Sequence, residues 1–248
     1  MELTISTFIL VNFILIVSST LQMATGVTAG MIIVPFLAMI SYTLIPVPIA
    51  FASLALTVMM AYKGRKHLDT KNMLRISFGM LAGIVLSIFI LKNIKFEYMG
   101  IVFGVFILIS VLISSQLKSF TLHKSINYTG GFIAGVMGSM AAVGGQVLAL
   151  LFQNHPLESL KATLAFLYTL FSTVMLIVFF MFGEFSYNQF ISGIYMMPGF
   201  IIGFLVAPIF SKYFNPKYSK TVVLSMATLG AVVLIVKSFL DSIYLDLI

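Results

Sequence analysis

The stretch GVMGSMAAVGGQ, residues 135–146, sets four glycines and two alanines inside one of the most apolar regions of the chain. Each glycine in a helix interior costs roughly 1 kcal/mol relative to alanine, so a helix that merely spans would not carry this run. The flanks explain it. Lys118 and Lys124 precede the stretch, and beyond the next apolar segment lies GEFSYN, residues 183–188, with Glu184 and no basic residue. Basic loops stay on the cytoplasmic side, which places the loop before the stretch inside and GEFSYN outside. The segment from 126 to 152 then enters and leaves on the same side. Two full crossings need about 40 residues, and the segment is too short for them. A re-entrant hairpin of two half-helices fits, with its turn near Ser139 to Gln146. Glycine permits both the turn and close backbone approach. Backbone left unpaired at that depth has to be covered by protein or line a wet cavity.

The rest of the chain has the same character. Of its 248 residues 60% are hydrophobic and 8% charged, with a mean hydropathy of +1.13, far from the balance of a soluble domain. This is the composition of an integral, multi-pass membrane protein of the cell membrane, an all-α bundle in contact with the lipid bilayer. The formal charge of +7 comes from basic residues in short loops, which reads as membrane topology and not as a nucleic-acid surface. The absence of cysteine removes disulfides, thiolate metal sites and cysteine nucleophiles. Glu2 stands where a signal peptide would carry Lys or Arg, so the first segment reads as retained membrane sequence.

Apolar segments fall at about 4–23 with 26–40, then 46–62, 73–91, 97–115, the interrupted 126–152, 160–182, 188–210 and 219–240. The loops holding Lys63, Arg65, Lys66, Lys71 and Arg75, and Lys212, Lys217 and Lys220, belong inside; SYTLIP, 41–46, belongs outside. Lys92 and Lys95 fall outside in this scheme and count against it.

A second interruption, QMATGVTAG at 22–30, divides the first apolar region. Set against the first, Gly26-Val27-Thr28-Ala29-Gly30 matches Ala142-Val143-Gly144-Gly145-Gln146. Ala52-Ser53-Leu54 then matches Ala162-Thr163-Leu164, and Gly79/Gly83 matches Gly199/Gly203. Two repeats follow, 1–120 and 121–248, each a broken hairpin plus three spans, in one integrated transmembrane domain. Three crossings per repeat turn the second upside down relative to the first. Inverted repeats with broken helices near the midplane are a recurrent architecture of secondary transporters.

A half-helix that begins inside the membrane presents unpaired N–H groups and the positive end of its dipole, which attracts anions. Two such starts are expected near Gly30 and Gln146, with Thr25, Gly26, Thr28, Ser53, Ser139, Gly144, Gly145 and Thr163 close to them in sequence. These ten residues are the candidate binding set for a small anionic substrate. Gly79/Gly83, Gly100/Gly104 and Gly199/Gly203 read as ordinary helix packing, and His155 as a loop residue at the interface. For Asn12 and Gln22, interhelical hydrogen bonding and ligand contact stand level. No Asp, Glu, Lys or Arg lies well inside an assigned span, so a proton relay has no visible carrier. Neither a phosphate-binding loop nor a zinc-protease motif is present, which argues against an enzyme, a metal or a cofactor.

GVTAGMIIVP at 26–35, GFIAGVMGSMAAVGGQVLALL at 131–151 and KATLAFLYT at 161–169 together resemble the TauE/SafE sulfite exporter family, also called the four-toluene sulfonate uptake permease family. The resemblance covers nearly the whole chain. It implies movement, mostly export, of sulfite, sulfonates or related organic and sulfur oxyanions. The first motif carries Thr28 and Ala29 where glycines are expected, and the second ends in Gln146. Both departures fall where a ligand would sit and bear on which anion is taken. Two rival readings remain: a membrane scaffold or assembly subunit that moves nothing, and a lipid-modifying membrane enzyme. Self-association into a homo-oligomer is left open.

Overall fold

The computed structural model describes residues 4–25, 29–70, 72–115, 124–211 and 216–246. The expectations placed on Gly26 and Thr28, and on the side chain of Thr25, lie outside the described residues. Ten α-helices and no strand occur among the described residues: α1 Ile5–Thr25, α2 Gly30–Ile40, α3 Val47–Gly64, α4 Met73–Asn93, α5 Met99–Ser115, α6 Lys124–Ala141, α7 Gly145–Leu151, α8 Leu157–Met181, α9 Tyr187–Ser211 and α10 Pro216–Asp246. Seven of these are long and apolar enough to cross a bilayer: α1, α3, α4, α5, α8, α9 and α10. The protein is a polytopic helical membrane bundle, and the order is two helices then three spans, twice over.

Paired contacts fix the direction of each element. On α4, Gly79 and Gly83 lie against Tyr128, Phe132 and Val136 of α6, while Gly131 and Gly135 of α6 lie against Ile76 and Met80. Both series rise together, so α4 and α6 run parallel. The equivalent pair is α1 and α9: Asn12 bonds Tyr195 and Gly199, and the Thr20 hydroxyl donates to the Gly203 carbonyl at 3.4 Å. Both pairs thus pack in parallel through close contacts at glycines. All of these glycines serve close helix approach, as their spacing implies.

α7 folds back along α6, because Gly144 lies against Ala134 and Gly138, and Leu151 reaches Gly130. The hairpin is therefore re-entrant. Its exit is tied to the loop between α3 and α4, where His155 Nε2 lies 2.8 Å from Asp69 Oδ2. The arms are unequal, which corrects the expectation of two half-helices: α6 has 18 residues and α7 only 7. The long arm is sustained by its glycine contacts with α4.

A further correction concerns the turn. Ala142, and no glycine, holds the left-handed conformation there, with φ 51°. Its N–H donates to the Gly138 carbonyl at 2.8 Å and that of Val143 to the Met137 carbonyl at 3.4 Å. The neighbouring glycines are needed instead for close approach, since a β-carbon on Gly144 would strike the Ala134 carbonyl and one on Gly138 the Phe171 ring.

The helix after each break starts at Gly30 and at Gly145, one residue from the expected match of Gly30 with Gln146. α2 is too short to span, and Gly30 to Pro35, Leu37 and Ala38 are all buried. It is a core helix enclosed by protein. Large apolar side chains such as Phe78, Phe89, Phe180, Leu205 and Leu229 cover the outside of the bundle, as expected where the surrounding solvent is lipid.

Lys92 lies at the same end of the bundle as Glu184. Its ammonium pairs with Glu184 at 3.3 Å and donates to the Phe182 carbonyl.

Candidate functional site

The two breaks meet at the centre. The α-carbon of Gly30 lies directly against the Ala142 carbonyl. Beside this crossing is a cavity of about 80 Å³. By the same measure one water needs only about 10–15 Å³, so there is room for several waters or one small ion. Its wall comes from both hairpins (Gln22, Ala29, Gly30, Gly138, Ala142, Gly144, Gly145, Leu148) and from the faces of α3 and α8 that look onto them (Ser53, Leu56, Thr57, Tyr168, Phe171, Ser172), with Met80 and Phe200 closing it.

Of the ten residues singled out from sequence, Gly30, Ser53, Gly144 and Gly145 line this cavity. Ser139 and Gln146 are buried close by but are not in its wall. Both Ser139 Oγ and Gln146 Nε2 are buried without a hydrogen-bond partner. Thr163 is elsewhere. Its hydroxyl accepts the Asp69 N–H at 3.1 Å near the start of α8, about one and a half turns before Tyr168. The register with Ser53 holds along the chain, but the side chain fastens a loop.

Sequence reasoning missed Thr57, Tyr168 and Ser172. A signal was available: Ser53 and Thr57, and Tyr168 and Ser172, are hydroxyl pairs four residues apart within apolar spans, each on one helical face. Tyr168 also supports the second break, its hydroxyl donating to the Gly145 carbonyl at 3.3 Å. Gln22 does similar work at the first, its Oε1 accepting the Ala29 N–H at 3.2 Å, while it also lines the cavity. Asn12 resolves as interhelical. Its Nδ2 donates to the Tyr195 carbonyl at 2.9 Å and its Oδ1 accepts from the Gly199 N–H at 2.7 Å. That amide spans the turn of α9 interrupted by Pro198. On α5, the Ser110 hydroxyl holds the hairpin tip by donating to the Val143 carbonyl at 3.3 Å.

The cavity wall contains no Asp, Glu, Lys or Arg among the described residues. Its polar groups are hydroxyls, one amide and the backbone at two helix starts. Cationic side chains appear only further out. A pocket of about 330 Å³ at the end of the bundle shared with the α3–α4 loop is lined by Lys63, His67, Glu158 and Lys161. At the other end, a pocket of about 190 Å³ is lined by Tyr42, Glu184 and Gln189 among apolar neighbours. Burial pushes the Tyr42 phenol above its usual range, with Asp241 adding to the effect and the Ser238 hydrogen bond opposing it. Tyr42 therefore stays a neutral hydroxyl.

Chain breaks that meet beside a buried cavity are an arrangement recurrent in secondary transporters. The match to a known family agrees: the model described as sulfite exporter TauE/SafE covers residues 11–234, and the chain belongs to that family. No curated protein and no solved structure matches it.

Proposed function

We propose that this protein carries small oxyanions, sulfite, sulfonates or close relatives, across the cell membrane, outward, with the anion held in the central cavity at the Gly30–Ala142 crossing. The observation that carries this reading is the meeting of both chain breaks at a cavity whose polar lining is entirely neutral. An anion in such a place would meet helix-start N–H groups, and hydroxyls that turn to it from the backbone carbonyls to which Ser53, Thr57 and Tyr168 now donate, without a fixed counter-charge that would retain it. α2 supplies more of the helix-end field than α7, which is only two turns long. With the interior negative, each charge that leaves gains about 2.3 kcal/mol per 100 mV, so no proton-relay carboxylate is required. We read residues 1–120 and 121–248 as the two repeats that rock about this site.

The test is sulfite and methanesulfonate flux in proteoliposomes. The wild type is expected to move at least one of them. Ser53→Ala, Ser172→Ala and Tyr168→Phe, at equal protein levels, should each cut flux several-fold. Gln146→Ala should have a milder effect, through the hairpin, and Thr163→Val should leave the affinity unchanged. A wild type inert towards both anions would overturn the function. Normal flux in all three cavity variants would remove the site.

A further inference from the structure

The 330 Å³ pocket at the basic end is aligned with the central cavity. Along α3, Leu56 and Thr57 line the cavity, and Met60 and Lys63, one and two turns further, line the outer pocket. α9 repeats the order with Phe200 and then Ala207. At 1.5 Å per residue, Thr57 of one wall and Met60 of the other are only about 4.5 Å apart along α3. The layer between them holds Met60, which is buried at 9% exposure. Two lysines, Lys63 and Lys161, line the outer space together with His67 and one acidic residue, Glu158. Neither lysine forms an ion pair among the described residues. Lys63 rests its ammonium 5.8 Å from the Phe204 ring centroid, a position that holds it at the wall of the bundle. The pocket at the opposite end has no basic side chain in its wall, and its Glu184 is paired with Lys92.

Building on the transport reading above, we propose that the Lys63/Lys161 pocket is a peripheral anion-binding station at the basic-loop end of the bundle that takes up a small oxyanion and passes it to the central cavity when the Met60 layer opens. A mainly positive concave wall beside a low-dielectric bundle concentrates anions and speeds their capture. The neutral inner cavity can then bind weakly enough to release its cargo at the far side, where the wall of the 190 Å³ pocket has no basic side chain among the described residues. Capture and release are divided between two places along one path.

Binding here is testable without transport, because the chain has no cysteine. His67→Cys places a single thiol at the pocket wall. In vesicles of neutral phosphatidylcholine, sulfate or methanesulfonate should slow labelling of this thiol by a charged maleimide; sulfite is avoided because it adds to maleimides itself. Chloride at equal ionic strength should protect far less. Lys63→Gln with Lys161→Gln should abolish protection and raise the KM for sulfite about tenfold while maximal flux stays within about twofold. Lys63→Arg with Lys161→Arg should restore both. Equal protection by chloride would show simple screening and overturn the proposal. Protection by added anionic phospholipid but not by the soluble anions would make the pocket a lipid headgroup site and overturn it as well. Protection in a protein without flux would leave the station standing and remove the transport reading. Flux without protection, and with an unchanged KM in the double variant, would do the reverse.

Discussion

Gly30 and Ala142 touch backbone to backbone: a β-carbon on Gly30 would overlap the Ala142 carbonyl oxygen. The first residue after one chain break is thereby seated on the turn of the other. The obstructing atom belongs to a hairpin packed against α4 and α5, so it cannot rotate away as a flexible side chain would.

Gly30→Ala should therefore force the two hairpins apart. Overpacking of this kind typically costs about 1–3 kcal/mol. A lower thermal midpoint in detergent and loss of sulfite flux are expected. An unchanged midpoint would mean that the breaks do not touch.

Ala142→Gly should have the opposite sign. A non-glycine residue pays roughly 1–2 kcal/mol for the left-handed conformation, and glycine adopts it freely while gaining freedom in the unfolded chain. The net expectation is a stabilisation of about 0.5–1 kcal/mol, read as a modest rise in the thermal midpoint. A fall would show that the turn does not hold Ala142 at positive φ.

Asn12→Leu removes the amide that joins Tyr195 and Gly199 across the Pro198 turn. Buried polar groups left without partners cost about 1–3 kcal/mol each, and no water is at hand to replace the amide. We expect loss of stability and a looser α1–α9 pair, with Asn12→Gln only partly restoring it. Comparison of melting midpoints checks this, and a neutral Asn12→Leu would contradict the bridging role.

Thiol labelling tests the hairpin. Lys66→Cys, Asn154→Cys and Ser125→Cys should share a side, and Ser186→Cys should react from the other. Lys66 is chosen over Gly64 because a side chain at Gly64 would strike Ala162. The basic loops place Ser186 outside, so an impermeant maleimide should reach it in intact cells. If Ser125→Cys and Asn154→Cys label from opposite sides, α6 and α7 do not form a re-entrant hairpin.

The sequence by itself determined the membrane class, the spans and the existence of both breaks. These follow from bilayer thickness, the interruption of the apolar runs and the placement of charge, all of which are written locally along the chain. It also showed that 126–152 must return to its starting side, because too few residues were available for two crossings. What it could not decide was which side chains share the cavity. Successive residues of a helix point 100° apart, and the rotation of each helix about its axis is set by the neighbours it packs against. Ser53 and Thr163 match in the repeat, yet one faces the cavity and the other secures the Asp69 loop. Tyr168 and Ser172 joined the wall only when α8 was packed against both hairpins. In the same way Lys92 was neutralised by Glu184, 92 residues away, and Lys63 and Lys161 were brought to one pocket. Such pairings depend on long-range closure of the bundle, which only the tertiary structure supplies.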